Sequence, residues 1–260
     1  MNTNTCTISA INGFTDNYFW KISAGSQAVI VDPGDAKPLI ADLIQHQQTL
    51  TAILITHHHA DHIGGVNGLK DKYPCIVYGP SKEAQNVVEH SVTEHDRFQP
   101  QGLSETAEII EVPGHTAGHI SYYFPQLKAL FCGDTLFAGG CGRIFEGTAA
   151  QMFHSLQKLA RLPVDTRVYC AHEYTLSNLR FAITVEPHNK ALQQRLKSVE
   201  KARANNQPTV PSTLGEELAT NPFLRVNQTE IRQTAEAATG YMMHSDEETF
   251  AVIRKMKDSF

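Results

Sequence analysis

The stretch THHHADHIGG, residues 56–65, follows the apolar run TAILI and places four histidines and one aspartate within seven positions. A short apolar run rich in β-branched residues predicts a buried strand, so the imidazoles fall where that strand ends. Loops at the carboxyl ends of strands commonly form binding sites in layered α/β folds. The chain must therefore fold so that a histidine-rich turn is supported by a buried strand.

The spacing of these side chains indicates a metal site. Side chains alternate in extended backbone, so His57 and His59 point to one side and His58 to the other. Asp61 and His62 lie beyond a turn, which adds two more donors from the same stretch. Imidazole and carboxylate bind Zn(II), Fe(II) or Mn(II). A single histidine is usually a surface or core residue, but this cluster favours ligation, with His58 outside the ligand set.

Three further donors each follow an apolar run and a tight turn. They are His115 in VPGHTAGH, Asp134 in LFCGDTLF and His172 in VYCAHEY. Each signal is weak alone, but together with the first four they make seven donors. Seven donors exceed what one tetrahedral ion takes and suit two ions that share a bridging carboxylate.

The rest of the chain predicts an α/β (α+β) fold with two unequal parts. With 260 residues, 41% of them hydrophobic, it can bury a large core. The predicted strands are AVIVDPG, TAILIT, CIVYG, AEIIEV, HISYYF, ALFCGD and RVYCAHE, and the predicted intervening helices are KPLIADLIQHQQ and AAQMFHSLQKLARL. After about residue 175 the pattern is largely helical. Residues 208–225 contain three prolines and predict an extended connector, while Ser245 and Glu248 have capping-box spacing before the last helix.

Charge and cysteine usage exclude several classes of protein. The net charge of -5 repels a nucleic-acid backbone, so no nucleic-acid partner is expected. The chain has no apolar run of 18 residues and its N-terminus has no signal-peptide pattern, so no membrane partner is expected. The five cysteines are scattered, without a CxxC pair, which argues against disulfides and zinc ribbons. These features together predict a cytoplasmic protein.

Four segments resemble the metallo-β-lactamase superfamily and, within it, the glyoxalase II (hydroxyacylglutathione hydrolase) family. They are THHHADH, PGHTAGH, GDTLFAGGCGRIFEG and CAHEYTLSNLRFA. The resemblance runs from about residue 10 to the C-terminus and includes TNPFLR and RKMKDSF. It implies a four-layer αββα sandwich over residues 1–173, which forms the catalytic domain. Residues 174–260 would form a smaller α-helical domain that binds the glutathione part of the substrate.

The resemblance also implies a role for each site residue. The first metal would be held by His57, His59 and His115, and the second by Asp61, His62 and His172, with Asp134 bridging both. Asp61 and Asp134 would be the catalytic carboxylates, and the two divalent ions are expected to be Zn, with Fe or Mn as alternatives. The implied substrate-binding residues are Arg143, Phe145, Tyr174, Arg254 and Lys257. Family members often have Lys and Tyr at positions 143 and 145, and Phe145 has no hydroxyl to donate.

The implied reaction is hydrolysis of S-(2-hydroxyacyl)glutathione, such as S-D-lactoylglutathione, to glutathione and D-lactate, the second step of methylglyoxal detoxification. A metal-bridging hydroxide would attack the thioester carbonyl. A thiol of pKa about 8.5 leaves as thiolate, so no general acid is assigned.

Arg254 and Lys257 are three residues apart and would share a helix face toward the anionic substrate. The alternative reading of these two cations is a solvated basic helix end. The partner is this small molecule, and a monomer is expected.

Other functions use similar ligands. Within the superfamily these are a lactamase, a nuclease and a one-iron persulfide oxidase, and outside it a zinc-stabilised or metal-storing binding module. The module is disfavoured because closed structural sites are commonly rich in cysteine. Asp32, in IVDPG, either orients a ligand histidine or forms a turn before Pro33, so it stays outside the predicted site. Cys141 is read as an ordinary small residue.

Overall fold

The computed structural model of the protein describes residues 6–260. Residues 1–5, where the predicted catalytic domain and the N-terminal segment discussed above begin, lie outside the described residues. The chain divides into two compact units. Unit 1 consists of Met1–Glu111 and Gly118–Gly133, and unit 2 of Val112–Ala117 and Asp134–Phe260. The domain division at residues 173 and 174 stays a prediction.

The first sheet of unit 1 carries the strand that leads into the histidine turn. Its strands, in spatial order, are β1 (Thr7–Gly13), β2 (Asn17–Ala24), β3 (Gln27–Val31), β4 (Thr49–Leu54), β5 (Ile76–Pro80) and β6 (His90–Val92). The pairs β1–β2 and β2–β3 are antiparallel, and β3 to β6 run parallel. The first four residues of the segment TAILIT, Thr51–Leu54, lie in β4, between two parallel neighbours, which explains its continuous apolar character.

A second set of strands in unit 1 is antiparallel and faces the first sheet. Its strands are β7 (Arg97–Phe98), β8 (Ala107–Glu111), β9 (Ile120–Phe124) and β10 (Ala129–Gly133). The Tyr122 hydroxyl on β9 donates to the Ile55 carbonyl at 2.8 Å, just after β4. Tyr78 on β5 stacks on Phe98 of β7 with ring centroids 4.6 Å apart. The two sheets therefore pack face to face within this unit.

Helices cover the other face of the first sheet. They are α1 (Ala36–Gln45), α2 (Ala60–Ile63) and α3 (Val66–Lys70). Asp35 caps α1 by accepting from the Lys37 amide, and Leu39 and Leu43 of that helix are fully buried. They join one apolar cluster with Ile30, Ile53, Val77 and other strand residues. This core fixes the end of β4, from which the histidine turn emerges.

Unit 2 is mainly helical. Its strands are β11 (Leu136–Phe137), β12 (Gly140–Cys141), β13 (Arg167–Cys170) and β14 (Ser212–Thr213), and its helices are α4 (Ala149–Leu159), α5 (Thr175–Val185), α6 (Lys190–Ala204), α7 (Leu214–Thr220), α8 (Thr229–Thr239) and α9 (Asp246–Asp258). Leu179 and Ala182 of α5 pack against Leu192 and Val199 of α6. Over residues 6–260, every helix is too short or too polar to cross a bilayer.

Two local expectations differ from the structure. The proline-containing segment 208–225 holds a helix, α7, because its prolines lie outside the helical residues rather than within them. At the start of α9 the Ser245 hydroxyl accepts from the Glu248 amide at 3.0 Å, as a capping box requires. The Glu248 carboxylate, however, accepts from the His244 amide at 2.6 Å, so only half of the box forms.

A buried ion pair joins three segments of unit 2. The Glu217 side chain is fully buried and accepts from Arg195 at 2.6 Å. It also accepts from the Gly139 amide at 2.8 Å and from the Asn221 side chain at 3.0 Å. Because four polar groups satisfy each other there, loss of one leaves the others buried without compensation.

Glu217→Ala is expected to lower the free energy of unfolding by about 3–5 kcal/mol, since Arg195 would stay buried without its carboxylate. Glu216→Ala is the control. Its half-exposed carboxylate lies 3.3 Å from the same guanidinium, and its loss should cost about 1 kcal/mol or less. Urea denaturation followed by circular dichroism measures both. Equal costs for the two variants would contradict the importance of the buried pair.

Candidate metal centre

In unit 1 the histidine turn begins directly after β4 and brings two predicted ligands together. His57 is fully buried and His59 is half-buried at the N-cap of α2. His57 Nε2 lies 3.1 Å from His59 Nδ1. The extended backbone between them therefore places both rings on one side, as the alternation of side chains predicts.

Asp61 and His62 lie in the short helix α2, one turn further on. Asp61 Oδ2 is 3.6 Å from His62 Nε2, and the His57 and His62 ring centroids are 4.0 Å apart. His62 is buried, whereas Asp61 is partly exposed. The Asn17 side-chain amide donates to Asp61 Oδ2 at 3.0 Å and orients that carboxylate. Unit 1 thus gathers the four donors that the sequence motif predicts within it.

Asp32 orients two of these rings from behind. Its carboxylate accepts from the Thr56 amide at 2.8 Å and from the Thr56 hydroxyl at 2.7 Å, and its Oδ2 lies 3.0 Å from His62 Nδ1. Because the Thr56 hydroxyl donates to Asp32, it accepts from His57 Nδ1, 3.0 Å away. We assign the Nδ1–H tautomer to His57 from this network. Its Nε2 is then an acceptor that faces the donor cluster.

Two other imidazoles near the turn have different roles. The His58 amide donates to Glu83 at 3.0 Å and its ring pairs with the same carboxylate. His119 is fully buried and stacks on His57 with ring centroids 4.6 Å apart. The left-handed Gly133 allows this packing, because a Cβ there would lie 2.9 Å from the His119 ring. Both residues support the turn from its outside.

In unit 2, Asp134 lies between two histidines. Its Oδ2 is 3.4 Å from His115 Nε2 and 3.4 Å from His172 Nε2, and all three residues are buried. His115 follows a Pro-Gly turn, and its Nδ1 lies 2.7 Å from the Arg143 carbonyl, to which it donates. His172 follows β13 and stacks on Tyr174, with ring centroids 4.7 Å apart. Unit 2 therefore gathers the other three predicted ligands.

The donor chemistry in both units fits a divalent metal. With Nδ1 protonated, His115 Nε2 is an acceptor that faces a carboxylate oxygen, and two acceptors repel unless a cation lies between them. The separation of 3.4 Å is longer than an N–H···O hydrogen bond. Two ligands about 2.0–2.1 Å from one tetrahedral ion lie about 3.3–3.4 Å apart. In unit 1, His62 Nε2 also faces a carboxylate oxygen, Oδ2 of Asp61, at 3.6 Å.

Three of the predicted substrate-binding residues flank the unit 2 ligands. Phe145 is 60% exposed and presents its ring edge to His115, with centroids 5.3 Å apart. The Arg143 guanidinium lies 5.8 Å from the Phe145 ring centroid, and Tyr174 is partly exposed. These side chains are accessible to a small molecule next to the ligands.

The two predicted cations of α9 have different surroundings. Arg254 is buried, and its guanidinium donates to the Cys141 carbonyl at 2.9 Å. Lys257 is half-buried and lies 3.3 Å from the Ser177 hydroxyl. Burial lowers the pKa of Lys257, and the neighbouring Arg254 lowers it further. Direct substrate binding by either cation stays a prediction.

Cys141 lies beside Arg254 but is unsuited to act as a nucleophile. Burial raises the pKa of its thiol, an effect that Arg254 only partly offsets. The thiol therefore stays protonated at neutral pH. Its treatment as a small packing residue agrees with this environment.

Sequence reasoning missed Asn17 and left Asp32 outside the site. The sequence does contain a signal for Asp32, because its carboxylate follows a predicted buried strand in a chain that carries a metal motif. An aspartate that forms a turn before Pro33 would give the same sequence, however. Asn17 lies 44 positions from Asp61 in the sequence, and nothing local marks their contact. Both residues act by orienting ligands.

Comparisons with known proteins show which families the chain resembles. The model described as metallo-beta-lactamase superfamily matches residues 13–172, and that described as hydroxyacylglutathione hydrolase C-terminus matches residues 173–260. A Pseudomonas aeruginosa protein named hydroxyacylglutathione hydrolase is 49% identical over 97% of this chain and 99% of its own length. The crystal structure of BLEG-1, a B3 metallo-beta-lactamase, has a TM-score of 0.64 at 25% identity, covering 85% of this chain and 99% of its own. ETHE1 from Myxococcus xanthus also has a TM-score of 0.64, at 22% identity over 98% of this chain and 100% of its own.

Asp32→Asn is expected to lower metal affinity about 10- to 100-fold, because the amide cannot accept from Thr56 and His62 together. Chelator competition on the purified protein measures the affinity. Asp35→Asn is the matched control, since an asparagine caps α1 as an aspartate does and should leave the affinity unchanged. Wild-type affinity in Asp32→Asn would contradict its orienting role.

Proposed function

The chain belongs to the hydroxyacylglutathione hydrolase family of the metallo-beta-lactamase superfamily, and from this membership we propose that it hydrolyses S-(2-hydroxyacyl)glutathione to glutathione and a 2-hydroxy acid. The membership confirms the predicted family and fold class. The observation that carries the reaction is the Asp134 carboxylate oxygen, equally distant from two imidazole nitrogens. S-D-lactoylglutathione is the substrate we propose, with D-lactate as the acid released.

We propose two divalent ions, held by the ligand set that the family motifs imply. The first would be bound by His57, His59 and His115, the second by Asp61, His62 and His172, and both by Asp134. Zn is proposed first, because nitrogen ligands outnumber oxygen ligands. When bound, the ions lower the pKa of a coordinated water and polarise the thioester carbonyl.

The chain's own groups orient these ligands. Thr56 holds the proton on Nδ1 of His57, and the Arg143 carbonyl does the same for His115, while the Asp32 carboxylate lies 3.0 Å from His62 Nδ1. Ligand geometry is therefore set before an ion binds, which reduces the reorganisation that binding requires. Asn17 holds the Asp61 carboxylate in the same manner.

Substrate binding is proposed for the accessible groups beside these ligands. Glutathione carries two carboxylates and one ammonium, so the cations of Arg143 and Lys257 complement its net charge. Phe145 and Tyr174 flank His115 and His172 and supply apolar surface for the acyl-thioester part. The thiolate leaves without a proton from the protein, because its conjugate acid has a pKa of about 8.5. We also propose that the protein acts as a monomer. The five free thiols support a location in the reducing cytosol.

Purified protein is expected to hydrolyse S-D-lactoylglutathione and to contain close to two transition-metal equivalents by elemental analysis. Removal of the metal by a chelator should abolish turnover, and added Zn should restore it, since water alone is a poor nucleophile at neutral pH. Loss of the thioester absorbance measures the rate. Full activity with a single equivalent would contradict the bridging role of Asp134.

Asp134→Ala tests that role directly in the same assay. It should lower both metal content and turnover, the latter about 100-fold or more. Asp71→Asn, which alters an exposed carboxylate at the end of α3, is the control and should behave as wild type. If Asp134→Ala kept two equivalents of metal, the proposed ligand set would be wrong.

Lys257→Gln is expected to raise KM for the thioester about fivefold with little change in kcat, because a partly exposed cation contributes about 1 kcal/mol to ground-state binding. Steady-state kinetics measures both constants. Lys255→Gln removes an exposed cation from the same helix and should change neither. A fall in kcat at unchanged KM would contradict a role of Lys257 in substrate binding.

A further inference from the structure

The loop that carries His115 belongs to unit 2 and forms neither helix nor strand over residues 112–117. It is closed locally by the Gly114 amide, which donates to the Thr116 carbonyl at 3.0 Å. A loop is held in place by the groups that satisfy its backbone donors and acceptors. The partners of this loop therefore determine where the imidazole of His115 points.

A second loop of unit 2, residues 143–147, supplies several of those partners. The Phe145 amide donates to the His115 carbonyl at 3.2 Å, and the Gly147 amide donates to the Gly114 carbonyl at 3.1 Å. The two loops pass so closely that a Cβ on Gly147 would lie 2.6 Å from the Gly114 Cα. These backbone bonds hold the first loop at His115 and at the residue before it.

Glu146 joins the same two loops through its side chain. Its Oε2 accepts from the Ala117 amide at 2.9 Å, two residues beyond His115. A carboxylate accepts from a backbone amide more strongly than a neutral oxygen does. Glu146 itself is exposed, so the bond depends on the reach of its side chain and not on burial. The loop is thus held on both sides of the ligand.

We propose that Glu146 is a positioning residue for His115 and acts through the Ala117 amide. With the loop held on both sides, His115 Nδ1 stays 2.7 Å from the Arg143 carbonyl and its Nε2 faces Asp134. The inference rests on the proposed function, because it assigns one more residue a role in that same metal centre.

The alternative role of the Glu146 carboxylate is that of a charge, since it lies next to Phe145 and a negative charge there would repel an anionic thioester. Reach and charge can be separated by substitution. Glu146→Gln keeps an acceptor oxygen at the same reach but removes the charge, whereas Glu146→Asp keeps the charge but shortens the side chain by one methylene. Positioning predicts that glutamine replaces glutamate and aspartate does not, and a charge role predicts the reverse.

The test measures Zn affinity without substrate, by chelator competition on wild type, Glu146→Gln, Glu146→Asp and Glu200→Gln. We expect Glu146→Asp to lose about tenfold in Zn affinity, at the lower end of the range for residues that orient ligands, because it acts through the backbone. Glu146→Gln should stay within about threefold of wild type, because a neutral acceptor keeps the bond at reduced strength. Glu200→Gln alters an exposed carboxylate of α6 in the same unit and should match wild type.

Wild-type Zn affinity in Glu146→Asp would overturn the inference, and a changed KM for the thioester in Glu146→Gln would then assign Glu146 to the electrostatics of substrate binding. An equal loss of Zn affinity in Glu146→Gln would also overturn it, since that variant keeps an acceptor in place. If Glu146→Asp does not fold, Glu146→Ala gives the decision by the same measurement.

Thermal unfolding of each metal-free variant, followed by circular dichroism, separates positioning from a purely structural contact. A structural contact would lower the unfolding midpoint of Glu146→Asp and leave the Zn affinity of the folded protein unchanged, which would overturn the inference. Since the readout is metal binding, failure of the wild type to hydrolyse the thioester would refute the proposed function and leave this comparison intact.

Discussion

The structure depends on acceptor atoms that face each other within a few ångströms. In unit 2 a carboxylate oxygen of Asp134 faces the Nε2 atoms of His115 and His172, and in unit 1 Asp61 faces Nε2 of His62. The Arg143 carbonyl assigns the proton of His115 to Nδ1, so the contact of His115 Nε2 with Asp134 is not a hydrogen bond between neutral groups. A cation held between the two acceptors makes that contact favourable. The fit to a metal thus depends on the hydrogen bond behind the ligand as well as on the ligand itself.

Those outer hydrogen bonds account for the way the fold supports the ligands. Asp32 ends one buried strand, Thr56 follows the next, and their bond links neighbouring parallel strands of the first sheet at their carboxyl ends. A parallel sheet brings these ends to one edge without any side-chain contact being needed. The ligands then require only short turns after the strands. The sheet holds the imidazole rings of His57 and His62 in place through the Thr56 hydroxyl and the Asp32 carboxylate.

Much of this was predictable from the sequence, for a physical reason. Apolar runs at strand length identify β4, β8, β10 and β13, and a predicted ligand follows each of these strands after a short turn. The same sequence segments therefore predict both the strands and the ligands. Asn17 was not found and Asp32 was left outside the site, because their contacts join residues that are distant in sequence and their side chains suit ordinary turns equally well. Helix α7 was not predicted, because three prolines in residues 208–225 were taken to prevent a helix anywhere in that segment. The prolines lie before and after the helical residues, where they do not interrupt the helix.

The cations of α9 show that helical spacing predicts which side chains share a face but not how deeply each is buried. Arg254 and Lys257 share a face by their spacing, yet a single turn of helix separates a buried guanidinium from a half-buried ammonium. The difference arises from what packs on that face. Near Arg254 it is Phe223 and the end of a hairpin that offers carbonyl oxygens, and near Lys257 it is the start of α5 at Ser177. The spacing of the two cations therefore places them on one face but does not say which of them is buried.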